Sequence, residues 1–432
     1  MKRRLMVGMV ALLVAGSSYA QTWIFGPTLP FGYSRFDGEY YPPTGRVYFL
    51  GGRMPGGTTE GRIWSYDPIA GTFTDEQVDM EFPGSEYNVG RLNNPSGPDS
   101  LALYVVSGRR GDGTYINALQ VYYPISGLAM ALTSDPWPGR IGSKVSLPGH
   151  GIAVSGNKLY VFGGINTSSP PPYNTDSTFV YDPARPAGSR WTAIPTALLS
   201  LARGDITPGV VDSKIYAIGG ASFDGALLHP TNRVERFDPA NPGAGWVRMA
   251  DLPDTLMDSQ AFGFDTGSPY GLGNHLIVAG NNGSLSCYDY NVAANTWTTF
   301  PPLNRGRRGH AGCFIPGTRN GNGVPGMWVF GGSGITPDST SEDYQLMYNA
   351  MEEQGNGAPR ACLGRGSTVP NPFVSFATVP GREEERFELY NASGRKVGTY
   401  RGDLIGHDLG PGVYFVRAKG GTGITARVVK VR

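Results

Sequence analysis

The sequence has little cysteine, little histidine and almost no net charge. Its 432 residues include three cysteines and five histidines, and 36 Lys+Arg balance 35 Asp+Glu to leave a net charge of +1. With no basic tract, nucleic-acid binding is not expected. No dense His/Tyr/Cys group, nucleophile elbow or phosphate loop is present, so we expect no metal, no cofactor and no catalytic residue of these types.

Three cysteines, Cys287, Cys313 and Cys362, permit at most one disulfide bond. Cys287 and Cys313 fall in neighbouring sequence repeats, so a bridge between them stays open. Two buried free thiols are the favoured interpretation, because free cysteine behaves as a small apolar residue.

The chain also lacks long apolar runs, apart from one near its start. Met1-Lys2-Arg3-Arg4 is basic, Leu5 to Ala15 is apolar, and Ser18-Tyr19-Ala20 resembles a cleavage site. We therefore expect residues 1–20 to be a signal peptide. A retained anchor is the alternative, but the run is short for a bilayer of ~30 Å. The pattern predicts a secreted or outer cell-surface protein with no transmembrane segment in the mature chain.

Glycine and proline are abundant, with 64 and 35 residues, while 40% of the chain is hydrophobic and 11% aromatic. This much apolar surface argues against disorder. Short strands joined by glycine and proline turns suit the mixture better than helices do. We predict an all-β protein.

One pattern recurs six times: an apolar strand that ends at a glycine or a glycine pair. Its copies lie about 56 residues apart, a period typical of repeat architectures. Most copies are followed by an aromatic-Asp turn, such as Tyr66-Asp67, and then by another aromatic, such as Trp191. The strand ends are Gly51-Gly52, Ser107-Gly108, Gly163-Gly164, Gly219-Gly220, Gly280 and Gly331-Gly332. Four antiparallel strands per repeat predict a β-propeller.

The six copies predict six blades. In these marks the sequence resembles the Kelch repeat family over residues 21–350. The mature N-terminus, from Trp23 to Pro30, has the same Trp-then-Pro form as Trp297 to Pro302. We expect it to supply the outer strand of the last blade and so to remove an exposed sheet edge.

Residues 351–367 are rich in glycine and polar residues and are predicted to be a linker. Residues 368–432 resemble the C-terminal sorting domain of type IX secretion substrates, on the strength of three segments and a basic end. That resemblance implies a small Ig-like β-sandwich that engages secretion machinery; a structural cap is the alternative. The matching segments are Asn371-Pro372-Phe373, Leu389 to Arg395, Gly412 to Val416 and Lys430-Val431-Arg432.

Candidate ligand-binding residues come from counting back from the glycine pairs to the innermost strand, and forward into the loop that follows. Leu147 and Asn166 fall at such positions too, whereas His150 and His310 are expected to be structural. Clustered arginines favour carboxylates or other anions. The predicted set is Arg35, Arg53, Arg91, Arg109, Arg203, Asp258 and Arg307.

The sequence thus predicts a monomeric, non-enzymatic module that binds a protein or an anionic glycan at an arginine-lined channel mouth. A purely structural role for these arginines is an open alternative. So is an enzyme similar to sugar-acid mutarotases or epimerases, with Asp258 and Arg203 as its working groups.

Overall fold

A computed structural model describes ten segments of the chain, and nearly all of their regular structure is β-strand. One short 3-10 turn, Pro242–Ala244, is the exception among them. The all-β prediction is confirmed. The predicted signal peptide, the linker, Leu147, Asn166, Cys362 and Asn371 to Phe373 lie outside the described residues. These are 22–94, 96–139, 149–165, 173–316, 325–333, 338–346, 384–391, 395–410, 412–419 and 424–430.

The described residues before 347 form six antiparallel four-stranded sheets, numbered here in chain order. Sheet 1 contains Gly38–Tyr41, Arg46–Arg53, Thr59–Asp67 and Thr72–Asp79. Sheet 2 contains Val89–Asn93, Leu101–Val106, Leu119–Tyr123 and Leu128–Ala131. Sheet 3 contains Gly151–Ser155, Lys158–Phe162, Thr178–Tyr181 and Trp191–Ala193.

The remaining three sheets follow the same order, from an inner first strand to an outer fourth strand. Sheet 4 contains Thr207–Val211, Lys214–Ile218, Val234–Phe237 and Trp246–Arg248. Sheet 5 contains Gln260–Phe264, His275–Asn281, Ser284–Asn291 and Thr296–Phe300. Sheet 6 contains Ala311–Ile315, Gly326–Phe330, Ser341–Gln345 and Ile24–Phe25.

The sheets are arranged in a ring, because the first strand of each contacts the first strands of its two neighbours, and sheet 6 contacts sheet 1. An apolar core lies between each neighbouring pair of sheets. The apolar segments that precede the glycine pairs are the second strands, which are almost wholly buried between two such cores. This burial explains why they read as continuous apolar runs rather than as an alternating pattern.

The ring is fastened by its N-terminal strand, as the sequence predicts. Ile24 pairs with Asp343 and Phe25 with Glu342 in sheet 6. Trp23 is buried beside them, and its indole Nε1 donates a hydrogen bond of 2.9 Å to the carbonyl of Pro301. The third strand of sheet 6 thereby gains a partner along its outer edge.

Sheets 2 and 5 depart from the aromatic pattern that most of the repeats share. Trp137 lies after the outer strand of sheet 2, where it packs on Trp191 of sheet 3 with a ring-centroid distance of 4.9 Å. Tyr288 and Asp289 lie within the third strand of sheet 5, which continues to Asn291. The Oδ1 atom of Asp289 lies 2.7 Å from Nδ1 of His275, within hydrogen-bond distance.

Two smaller sheets complete the described structure. Ala221–Phe223 and Leu228–Pro230 form a hairpin that follows the second strand of sheet 4. The C-terminal sheet has four strands, in the spatial order Lys396–Arg401, Arg386–Asn391, Gly412–Ala418, Ile424–Lys430. The Ig-like domain stays a prediction. Cys287 and Cys313 are free and buried, which confirms the favoured interpretation of these two thiols.

Candidate functional site

One residue with left-handed backbone geometry precedes the first strand of every sheet. Their φ angles lie between +50° and +69°. We call this set the mouth ring, and its members in chain order are Arg35, Glu86, Gly149, Asp205, Asp258 and Gly309.

Backbone hydrogen bonds join the mouth ring into a closed circle. Five of the six ring members donate their backbone N–H to the carbonyl of the preceding member, with N···O distances of 2.5–3.2 Å. The circle closes where Arg35 donates to Gly309, and Ile206 replaces Asp205 as the donor to Gly149, at 3.3 Å. Left-handed φ is unfavourable for arginine, glutamate and aspartate, so this circle holds strained positions at the channel entrance.

The two glycines of the ring leave room for charged neighbours. A Cβ at Gly149 would overlap the Oδ1 atom of Asp205, and a Cβ at Gly309 would lie 3.0 Å from the Cγ of Arg35. The side chains of Asp205 and Arg35 therefore lean across the glycine positions. Four charged side chains share an entrance that six could not occupy.

Glu86 is the centre of the basic side of the mouth. Its carboxylate forms an ion pair with Arg35 and another, at 3.5 Å, with Arg109. Arg53 lies beside them, because its backbone pairs with that of Ser34. Burial, with the nearby positive charge of Arg35 and Arg109, lowers the pKa of Arg53. Three arginines around one carboxylate leave this side with excess positive charge, which suits an incoming carboxylate.

Asp205 and Asp258 form the acidic side of the mouth and line the same cavities as Arg35 and Glu86. Burial raises the pKa of Asp205, and the negative charges of Asp258 and Glu86 raise it further. Burial also raises the pKa of Asp258, although Arg35 opposes the shift. Burial thus disfavours the charged form of both neighbouring carboxyl groups.

The structure brings four of the seven predicted site residues together. Arg35, Arg109 and Asp258 line the mouth, with Arg53 next to them. Loops that enter the first strands do meet loops that leave the glycine pairs, as the backbone pairing of Ser85 with Arg109 illustrates.

Arg203 and Arg307 are a correction to the predicted set, because both are fully buried. Arg203 binds Glu235 at 2.5 Å and the carbonyl of Gly219 at 2.7 Å. Arg307 binds Glu342 at 3.0 Å and the carbonyl of Gly331 at 2.6 Å. Their guanidinium groups hold the interior of sheets 4 and 6 together, and the suggested pairing of Asp258 with Arg203 as enzyme groups does not form.

Arg91 lies inside the channel rather than at its mouth. It is in the first strand of sheet 2, where it forms an ion pair of 3.2 Å with Glu39 and donates to the carbonyl of Tyr40. The channel section there has a volume of about 330 Å³ and is lined mostly by small and aliphatic residues.

Counting from the glycine pairs missed three mouth residues: Glu86, Asp205 and Arg308. The turns between first and second strands differ in length, from Ser155/Lys158 in sheet 3 to Phe264/His275 in sheet 5. A fixed number of residues counted back from a glycine pair therefore ends at different positions relative to the start of the first strand. The position of the first strand is a better guide to the ring members, because this strand begins two or three residues after each of them.

The two histidines of the repeat each follow a ring glycine and are buried. His310 contacts the carbonyl of Ala279 through Nε2 at 3.1 Å, and burial lowers the pKa of His310 to about 3. His150 stacks on Trp137 with a centroid distance of 6.2 Å. These contacts support the structural role that the sequence suggested.

Asp37 is buried directly before the first strand of sheet 1, two residues after the ring member Arg35. Its carboxylate accepts hydrogen bonds from Val89 N at 2.9 Å and from Gln260 Nε2 at 3.2 Å, and so links sheet 1 to sheets 2 and 5. Burial raises the pKa of Asp37 to about 7, against the lowering effect of the Val89 hydrogen bond. The group thus changes charge near neutral pH.

We expect Asp37 to make the protein less stable as pH rises from about 4 to 7. An unfolded aspartate titrates near ~3.9, so within this window the folded chain keeps a proton that the unfolded chain has lost. The shift corresponds to roughly 4 kcal/mol of stability that is present at acid pH and lost by neutral pH. Urea unfolding between pH 4 and 8 should show a flatter pH profile for Asp37→Asn than for wild type, while exposed Asp254→Asn should keep the wild-type slope. Parallel profiles for all three proteins would contradict this assignment.

Within the described segments, no group of three or more His, Cys, Asp or Glu side chains could hold a metal ion. The same segments contain no helix that is long and apolar enough to cross a membrane.

Comparisons with known proteins agree with the repeat and with the fold. Residues 146–197 match the Kelch motif. The chain is 32% identical over 143 residues to Kelch-like protein 15 of Gallus gallus, a match that covers 32% of this chain and 25% of the relative. It is 38% identical over 104 residues to Kelch repeat and BTB domain-containing protein 13 of Homo sapiens, covering 24% of this chain and 20% of that protein. The chain therefore spans a quarter or less of the length of these relatives.

The solved structure of YjhT superimposes with a TM-score of 0.54 and 16% identity, covering 75% of this chain and 97% of that one. At this identity the likeness concerns the fold alone. Together with the Kelch motif match, it supports a β-propeller built from Kelch repeats.

Proposed function

We propose that this chain is a six-bladed propeller that binds another protein through the mouth ring. Six four-stranded sheets in a ring support the blade count, and the similarity to Kelch-like proteins supports a binding role. The observation that carries the proposal is the entrance itself, where strained backbone presents unevenly paired charges to solvent. Such preorganised groups on a rigid scaffold are typical of recognition sites.

The basic side of the mouth is the contact that we assign to an acidic residue of the partner. Arg53 has no carboxylate within ion-pair distance among the described residues, and Arg109 has only the 3.5 Å contact with Glu86. Both guanidinium groups are partly exposed and can form charge-assisted hydrogen bonds to a carboxylate.

An array of synthetic peptides beside an array of anionic glycans, both probed with the mature chain, tests this function. We expect binding to a subset of peptides that contain Asp or Glu, and about tenfold weaker binding for Arg53→Ala and Arg109→Ala. Arg185→Ala is the matched control, because Arg185 is exposed at the outer part of sheet 3. Binding to glycans alone, or equal binding by all variants, would overturn the proposal. Turnover of a sugar acid would instead favour the enzymatic alternative.

We further propose that the protein acts outside the cell or on its outer surface. The basic and apolar start of the sequence supports export, and the C-terminal resemblance to type IX sorting domains supports passage through that machinery. Fractionation of producing cells tests this, since retention of the full-length chain in the cytoplasm would contradict it.

A further inference from the structure

The mouth carries opposite charges on its two sides. Arg35, Arg53 and Arg109 surround Glu86 near sheets 1 and 2, whereas Asp205 and Asp258 adjoin sheets 4 and 5. The two aspartates are neighbours, because the backbone N–H of Asp258 donates to the carbonyl of Asp205 at 3.2 Å. A ligand that fills the mouth therefore meets both a basic and an acidic wall.

The acidic wall has counter-charges nearby but none bound to it. Among the described residues, neither aspartate side chain forms an ion pair at the mouth, since Arg35 pairs with Glu86. The guanidinium of Arg308, which lines the same cavity, donates instead to Oδ1 of Asn282 at 3.2 Å. Two half-buried carboxylates side by side are repulsive unless a cation reaches them.

An apolar wall adjoins the two carboxylates. Ile165, Ala221 and Met257 form a separate buried cluster at this position. Ile165 and Met257 line a cavity of about 80 Å³ together with Leu228, Asp205 and Asp258. The cavity thus combines aliphatic contact with two carboxylates, and the rest of its lining is Arg35, Glu86, Arg109 and Arg308.

The hairpin from Ala221 to Pro230 extends this apolar surface to the solvent-exposed rim of the cavity. Its turn exposes Leu227, with 65% of the side chain accessible, and Leu228, with 40%. Large aliphatic side chains at the rim of a charged cavity are typical of surfaces that contact another protein.

We infer that the acidic side of the mouth binds a lysine or arginine side chain of the protein partner. A long basic side chain has an apolar stem and a charged head, so it matches an aliphatic wall beside two carboxylates. The stem would lie against Ile165, Met257 and Leu228, and the cation would reach Asp205 and Asp258. The inference rests on the proposed protein-binding function and adds to it: the partner presents a basic and an acidic residue close together.

The test compares two versions of an array-selected peptide: one with lysine, the other with norleucine, which keeps the stem but lacks the charge. We expect wild type to bind the lysine peptide about tenfold more tightly. Asp205→Asn/Asp258→Asn should bind both peptides equally. Leu228→Ser should weaken binding of both peptides alike, because it removes stem contacts only. Asp254→Asn, at an exposed aspartate that lines neither mouth cavity, is the control and should behave as wild type.

Thermal unfolding of each variant identifies those that fold. Equal binding of the two peptides by wild type, or an unchanged lysine preference in the folded double variant, would overturn the inference. If Arg53→Ala and Arg109→Ala still weaken binding in that case, the proposed function stands without it. If no peptide binds wild type at all, both proposals fail together.

Discussion

Replacing Arg203 with alanine is expected to lower the free energy of unfolding by about 3–5 kcal/mol, the cost of removing one partner from a buried ion pair. The change would leave the carboxylate of Glu235 buried, and the N–H of Ser200, at 2.7 Å, would be its one remaining donor among the described residues. It would also free the carbonyl of Gly219, which accepts from Arg203 at 2.7 Å. Urea unfolding of the mature chain measures the effect.

Two further variants separate the lost charge from the lost packing. Arg109→Ala, at a partly exposed arginine with one loose ion pair, should change stability by less than about 1 kcal/mol. Arg203→Met/Glu235→Leu should recover most of the loss, because apolar side chains of similar size often replace a buried pair without cost. An Arg203→Ala protein as stable as wild type would refute the structural role that we assign to this residue.

Replacing Trp23 with alanine is expected to cost about 3–5 kcal/mol as well, in this case through lost packing. Trp23 is only 2% exposed and joins the core between sheets 5 and 6, where its ring centroid lies 5.6 Å from that of Tyr344. Its indole also donates to the carbonyl of Pro301. The loss should weaken the strand that closes the ring and expose the edge of sheet 6 to intermolecular pairing.

Phe25→Ala is the matched control for Trp23→Ala, since Phe25 belongs to the same closing strand but is 52% exposed. Its expected cost is below about 1 kcal/mol. Light scattering at the unfolding midpoint should show association for the Trp23 variant alone. Similar losses for the two variants would mean that closure does not depend on the buried indole.

The repeat and its closure could be predicted from sequence because their signals are local. Each second strand is a buried apolar run followed by glycine, and the Trp-then-Pro form of the N-terminus resembles the outer strand of sheet 5. The mouth was harder to predict, because the turns between first and second strands vary in length. Counting back from the glycine pairs therefore selected Arg91 and Arg203, whereas the ring members of sheets 2 and 4 are Glu86 and Asp205.

The burial of Arg203 and Arg307 depends on residues that are distant in sequence. Each arginine is buried because a glutamate on the third strand of its sheet, Glu235 or Glu342, is buried opposite it. Nothing near either arginine in the chain distinguishes it from Arg35, which reaches the entrance. Only the strand pairing reveals which arginines are enclosed.

In the mouth ring, backbone groups form the circle and side chains supply the charge. Its hydrogen bonds use main-chain groups alone, and its six positions already hold arginine, glutamate, aspartate and glycine. A substitution at one of the four charged positions can change the charge of the entrance without altering the circle that supports it, provided that the new residue tolerates left-handed φ. Point mutations at these positions would thus alter the proposed binding surface while the fold stays the same.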